Sequence, residues 1–287
     1  MTTTVDTRRT RGDAAVDPGP GGPLDRLRWA VADGWVMTGR NMRHVIRSPE
    51  EIVLYFSLPI MFVLVFGYVF GSGMAVPGDG SYREFLLPGV FVMTMLYGLG
   101  ATASQISLDA SRGVVDRFRS LPMARSAPLT GRAGADLVRA VLELATLVVC
   151  GLLVGWRWRN GLGDALAAAG LILLLRLAFT WVGILLGLAV PNPDTVGVIV
   201  FPLAFPLTAL SNVFVAPDLL PDWLGAVAAW NPLSATVAAA RELFGNPGIG
   251  GESWAAQHPL PLAVGWPLLI IAVAAPLAVR RYRRLSR

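Results

Sequence analysis

Lysine is absent from this 287-residue chain, and all 24 of its basic residues are arginine. A phosphate-binding P-loop, G-x-x-x-x-G-K-[ST], needs its lysine to reach the terminal phosphates. A nucleotide site of that kind is therefore excluded, as is a lysine nucleophile or Schiff base. The single cysteine, Cys150, rules out an internal disulfide and a thiolate metal cluster. The two histidines, His44 and His258, lie at opposite ends of the chain without ligand neighbours at metal-site spacing, so no metal site is expected. Charge is scarce as well: 15% of residues are charged, against about 25% in soluble domains, and the mean hydropathy is +0.57. Arginine in place of lysine, with abundant Ala and Gly, points to a GC-rich bacterial genome.

Apolar runs fill most of the remainder. A run of roughly 20 residues at ~1.5 Å rise crosses a ~30 Å hydrocarbon core, and the chain holds several. The fold expected is an all-α integral membrane protein with six transmembrane helices. Residues 1–23 mix Thr, Arg, Asp, Gly and Pro without an apolar period, which predicts a disordered tail. That tail has no apolar centre, so it does not read as a cleavable signal peptide. Over 24–49, Leu27, Val31, Trp35 and Val36 fall at helical spacing among Arg28, Arg40, Arg43 and Arg47. Such a pattern suits an amphipathic helix lying in the bilayer interface, or else a solvated basic segment beside the membrane. Ser48 then caps a new helix, with Pro49 in its first turn and Glu50 and Glu51 against the positive dipole end.

The spans are expected over about 52–71, 84–107, 138–156, 166–190, 195–215 and 259–279, within one transmembrane domain of 24–287. Pro59, Pro88, Pro202 and Pro206 fall inside spans, where neighbouring helices can re-satisfy the freed carbonyls. With the first terminus inside, the inner segments hold eight arginines before residue 52, six over 112–139 and five over 280–287. The outer segments hold Arg83, Arg157, Arg159 and Arg241. That bias places both termini in the cytoplasm of a bacterial cell membrane. Residues 216–257 lie outside but are too apolar for a free loop: Leu219, Leu220, Trp223, Leu224, Val227 and Trp230 suggest short outer re-entrant helices. They suit either an outer gate or interfacial anchoring.

The stretch RGVVDRFRSLPMARSAPLTGR, 112–132, is a basic island between uncharged runs. Val114, Val115, Phe118 and Leu121 recur at helical spacing opposite Arg112, Asp116 and Arg119, and Pro122 ends the helix. A basic loop can serve topology alone, whereas an apolar face rimmed by arginine suits docking onto a soluble partner. On these residues, DASRGVVDRFRSLPMARSAPLTGRAGADL resembles the first cytoplasmic loop of type-2 ATP-binding-cassette exporter permeases, particularly the daunorubicin-resistance-like group. NMRHVIRSPEEIVLYFSLPIMFVLVFGYVFG is similar to that family's interfacial helix and first span. FPLTALSNVFVAPDLLPDWLGAVAAWNPLSATVAAARELFG is similar to its fifth span and outer re-entrant region, with P-x-x-L-P-x-W-L at Pro217–Leu224 and W-N-P at Trp230–Pro232.

The resemblance implies a permease of two copies, or of two similar halves, that binds no cofactor itself. ATP and magnesium would belong to a separate ATPase, expected in two copies, that docks from the cytoplasm and drives export. No nucleic-acid partner and no catalytic residue are implied. The family's coupling helix falls on Asp109, Arg112, Gly113, Val114, Asp116, Arg117, Phe118, Arg119 and Leu121. Asp109 and Gly113 match the family pattern; Val114 and Val115 replace polar positions and Asp116 stands where a glutamate is usual.

Along the spans, Arg176 interrupts LILLLRLAFTW, and Glu143 follows Arg139 by one turn as the one acid read inside a span. A mid-bilayer arginine costs roughly 2.5–3.5 kcal/mol on insertion scales, so it faces a cavity or a partner. Met93, Thr94, Met95 and Tyr97, with Phe205, Thr208, Ser211 and Asn212, offer mixed polar and soft apolar contacts. Either helix packing or the wall of a path for an amphipathic drug, antibiotic or lipid-like substrate fits them. Two other classes remain open: a proton-coupled drug carrier, which needs a relay of buried acids or histidines, and a membrane-embedded lipid-modifying enzyme, which needs converging carboxylates, histidines or metal ligands.

Overall fold

A computed structural model describes residues 57, 60–65, 68, 82–112, 127–214, 220–248, 251 and 253–285. The interfacial helix expected over 24–49, most of the first span and the coupling-helix positions 113–121 lie outside the described residues. The described secondary structure is helical, with no strand among the described residues. In chain order the helices are α1 (Tyr82–Ser111), α2 (Ala127–Val154), α3 (Leu162–Gly187), α4 (Pro193–Ala209), α5 (Asp222–Ala229), α6 (Pro232–Phe244), α7 (Trp254–Gln257) and α8 (Pro259–Leu285). Four of them, α1, α2, α3 and α8, are long and apolar enough to cross a membrane, and α4 is a shorter apolar helix.

The stretch expected to begin a span near 138 is helical from Ala127 onward. Arg132 and Asp136 look like a polar loop in sequence, yet they pair across one helical turn, Nη2 to Oδ1 at 3.2 Å, which lets the helix carry them. Helices also run through Pro88, Pro202 and Pro206. Local signals set the ends of the shorter helices. Asn192 and Asn231 each precede a proline at the first helical position and accept the backbone N–H two residues on, of Asp194 and Leu233. α6 closes on Gly245, whose φ of 68° is left-handed. There the Gly245 N–H reaches the Glu242 carbonyl and the Asn246 N–H reaches that of Arg241 at 2.9 Å, the double closure of a Schellman motif.

α1 is the central helix, buried almost continuously from Glu84 to Leu96. α3 runs parallel to it in close contact, because Gly183 and Gly187 present no side chain there. A carbon added at Gly183 would lie 2.8 Å from the Leu99 carbonyl oxygen, and one at Gly187 2.5 Å from that of Ala103. This is small-xxx-small packing, in which backbones approach closely enough for dispersion to hold two apolar helices together. α2 lies antiparallel to α1, with Gly151 against Phe91 and Leu87. α4 crosses α1 with Val200 beside Gly100, and Val213, in the turn past its end, lies beside Gly89. α8 packs on α3 through Ala274, Ala278 and Tyr282 against Trp181, Ile184 and Leu188.

The bundle therefore has two ends. One gathers the start of α1, the α2–α3 connection and α6. The other gathers Asp109, Arg112, Arg132 and Arg281. Large apolar side chains face outward between them: Leu153, Leu166, Val198, Phe201 and Leu203 are each more than 60% exposed. That surface suits hydrocarbon and would be an aggregation liability in water.

Candidate functional site: buried polar groups between the helices and an open cavity

Halfway along α1 and α3, Arg176 is 1% exposed. Its Nη1 donates to the carbonyl of Met95 at 3.1 Å, and its Nε has no hydrogen-bond partner. The guanidinium occupies the space beside Gly98, where any side chain would collide with it. Arg176 thus bolts α3 to α1 through one carbonyl, with no carboxylate against it among the described residues.

Three acids are buried between the helices: Glu143 is 3% exposed, Asp136 2% and Glu84 5%. Asp136 accepts from Thr102 Oγ1 at 2.7 Å and from Arg132 Nε at 3.3 Å. Both Glu84 oxygens accept from Arg159 Nη2, at 2.9 and 3.0 Å. Each of these two carboxylates is held by an arginine. That is the arrangement of fixed anchors, not of a chain passing protons.

At the α6 end, Arg241 is 1% exposed and acts as a three-way tie. Nε donates to the Phe85 carbonyl at 2.8 Å, Nη1 to that of Asn212 at 3.0 Å and Nη2 to that of Val213 at 3.2 Å. The guanidinium also lies over the Phe85 ring, 3.9 Å from its centre. Burial pulls its pKa down to about 9, which the nearby Tyr82 partly offsets, so it is still a cation at neutral pH. Asn231 supports the same turn, its Nδ2 donating to the carbonyls of Leu207 at 2.7 Å and Leu210 at 3.1 Å. Carbonyls just past α4 carry the negative end of its dipole, and a cation there is favoured. Next to this tie, Trp156 is fully buried, edge-on to Phe91 and Phe244, and donates from Nε1 to Asn246 Oδ1 at 2.8 Å.

The residues proposed from sequence for a transport path fall in three places. Arg176 sits against α1 beside Met95. Met93 and Thr94 are buried in α1, the Thr94 hydroxyl donating to the Val90 carbonyl at 2.7 Å, and Tyr97 is half-buried. Thr208, Ser211 and Asn212 meet at the end of α4, where Thr208 donates to the Ala204 carbonyl at 2.9 Å and Ser211 to that of Thr208 at 2.6 Å. Phe205 lies on the outward face, 55% exposed and stacked on Phe201. An open cavity of about 300 Å³ lies between α5, α6, α7 and the start of α8, and Asn212 is the member of that set among its described lining residues. Of the coupling positions, Asp109 and Arg112 end α1, where Gln105 Nε2 approaches Asp109 at 3.4 Å and Arg112 is exposed; the remaining seven lie outside the described residues.

Sequence reasoning missed Asp136, Glu84, Asn231 and the ties made by Arg241. It also passed over G-x-x-x-G at Gly183 and Gly187, a spacing that was available to it.

Long apolar helices, buried charges tied between them and an outward apolar face define a multi-pass helical membrane protein. Residues 33–244 match the ABC-2 type transporter family, and the chain belongs to that family. It is 33% identical over 245 residues to the daunorubicin resistance ABC transporter permease protein DrrB1 of Streptomyces coeruleorubidus, covering 85% of this chain and 83% of that one. It is 24% identical over 246 residues to the doxorubicin resistance ABC transporter permease protein DrrB of Mycobacterium tuberculosis, covering 81% and 85%. A putative transport permease, ycf38 of Cyanophora paradoxa, is 22% identical over 252 residues, covering 85% of each.

Proposed function

We propose that the chain is the membrane-spanning half of an ATP-driven exporter that moves an amphipathic drug, antibiotic or lipid-like substrate outward. The observation that carries this reading is the family match over 33–244, whose bounds include the arginine-rich loop between α1 and α2. The missing P-loop lysine supports a nucleotide cycle supplied by a separate ATPase. In this reading the ATPase docks on 109–121, at the end of the bundle where Arg112, Arg132 and Arg281 gather. The chain makes six spans in this reading, with that end and both termini on the cytoplasmic side of a bacterial cell membrane and α5–α7 outside. The permease works as a pair of halves, most simply two copies of this chain. The names of the drug-resistance relatives support the substrate class.

The docking step is a transmission of force. The coupling positions begin at the end of α1, where Asp109 and Arg112 stand, so in this reading a push there is delivered along α1 to Arg176. The test is co-expression with a soluble P-loop ATPase from the same genome, followed by drug-stimulated ATP hydrolysis by the purified complex. Paired charge reversal, Asp109→Lys with Arg112→Glu, should abolish stimulation while the chain still inserts. Unchanged stimulation, or cross-links from 114–121 that never reach the ATPase in intact cells, would reject the reading.

A further inference from the structure

We propose that the arginine-bearing end of α8 binds an anionic phospholipid, with its phosphate between Arg280 and Arg284 and an acyl chain along the helix above them. α8 packs on α3 through Ala274, Ala278 and Tyr282, the last only 6% exposed. On the other side, Leu269, Val273 and Leu277 are 54%, 54% and 43% exposed, and Arg280 and Arg284 are exposed below them. At 3.6 residues per turn these five positions share an arc of about 80°, opposite Tyr282. The apolar row therefore runs straight into the two charges. From Leu269 to Arg280 the helix rises about 16 Å, roughly the depth of one leaflet in a ~30 Å core. A chain lying on that row brings its headgroup to the level of the arginines.

The two arginines have no counter-charge on their own helix. Pro259–Leu285 contains no acid, and neither guanidinium has an ion pair among the described residues. Arg281, between them in sequence, is spent elsewhere: its Nε donates to the Leu188 carbonyl at 3.0 Å, at the end of α3. Like charges four residues apart on a helix repel, and an anion held between them relieves that repulsion. The helix dipole favours a basic last turn, and topology favours basic residues on one side of the membrane. Neither requires the pair to stand in line with an exposed apolar row. A phospholipid meets both features, its phosphate oxygens accepting from the two guanidinium forks and its chain covering the row. Phosphatidylcholine carries the same phosphate beside a trimethylammonium group, which the arginines repel, so a net anionic headgroup is selected. Lipid recognition does not depend on the exporter reading, which only decides that the inner leaflet supplies the ligand.

The test uses the purified full-length chain in detergent at pH 7, without ATP or ATPase, so it stands apart from the export assay. Native mass spectrometry counts bound phosphatidylglycerol and phosphatidylcholine of equal chain length, added together. Saturable retention of phosphatidylglycerol is expected at concentrations that leave phosphatidylcholine unbound. The double variant Arg280→Gln with Arg284→Gln should bind phosphatidylglycerol about tenfold more weakly. Both side chains are exposed, so the variant tests the site without a folding penalty. Arg280→Gln alone should weaken binding several-fold, whereas Arg112→Gln, an exposed charge lost from the same end of the bundle, should bind like the parent. Equal losses in these two single variants would reduce the effect to diffuse charge and overturn the proposal, as would a double variant that binds like the parent. Displacement of the lipid by millimolar inorganic phosphate would put a soluble anion at the arginines and overturn the lipid as occupant.

Discussion

The guanidinium of Arg176 lies in the space that a side chain at Gly98 would fill. One residue is charged and the other has no side chain, and each is explained by the other. Gly98→Ala should push the guanidinium off the Met95 carbonyl and cost about 1–3 kcal/mol, the usual penalty of overpacking, read as a lower melting temperature in detergent. Arg176→Met should behave differently. It removes a buried cation whose Nε is already unpaired, and replacing buried charge by packed apolar volume is often neutral or stabilising. Melting at or above the parent temperature together with lost ATP-dependent efflux would assign Arg176 to transport. In the double variant the cost of Gly98→Ala should shrink, since the two positions share one space.

The two glycines of α3 make the second expectation. Gly187→Leu must separate α3 from α1, because the Ala103 carbonyl stands 2.5 Å from the first added carbon and Ile106 Cβ 2.8 Å. A carbonyl of a packed helix cannot swing aside as a side-chain tip can. A loss of at least about 3 kcal/mol is expected, the upper range for forced-in volume. Gly170→Ala on the same helix has nothing within 4 Å and should leave the melting temperature unchanged or raise it, Ala being the better helix former by about 1 kcal/mol. Equal melting temperatures for the Gly187 and Gly170 variants would contradict the packing described.

What was legible in the sequence and what was not divide along one line. Periodicity and apolar length are local properties, so the long helices and the isolated Arg176 could be read from residues in a row. Arg241 could not. It stands in an apolar stretch that reads as an outer segment, whereas its three carbonyl partners, Phe85, Asn212 and Val213, come from two other parts of the chain. Asp136 was passed over for a related reason. Beside Arg132, Gly131 and Gly134 it resembles a polar loop, and only Thr102 on another helix shows that the carboxylate is buried by design. Charges whose partners are distant in sequence look like surface charges until the fold is known.

Arg241 offers a sharp test of that distinction. Arg241→Met leaves three carbonyls without their donor, and about 3 kcal/mol of stability should be lost, since each orphaned buried acceptor costs on the order of 1–3 kcal/mol and the losses overlap. Arg241→Lys should recover little of it. A compact ammonium cannot reach three acceptors spread as a fork, nor lie flat over the Phe85 ring. The reading is faster proteolysis between α4 and α6 in both variants. Full protection in Arg241→Lys would mean that charge, not geometry, holds this end together.

The final expectation concerns how the loop between α1 and α2 communicates with the bundle. Thr102 on α1 and Arg132 on α2 share the carboxylate of Asp136, at 2.7 Å to the hydroxyl and 3.2 Å to Nη2. This one group fastens both helices that carry the ends of the loop. If the loop receives force from an ATPase, the fastening decides whether α1 and α2 move together. Asp136→Ala strands Arg132 and should cost about 3–5 kcal/mol, as breaking a buried pair does, so loss of transport there would be uninformative. Asp136→Asn keeps the size of the side chain and an acceptor for the Thr102 hydroxyl while removing the charge that holds Arg132. That variant keeps the bond between α1 and α2 and loses only the pair within α2, so the fastening itself is tested by Thr102→Val, in which ATP hydrolysis by the assembled complex should continue while drug export per ATP falls several-fold. Export and hydrolysis falling in equal proportion would place Asp136 in assembly and not in coupling.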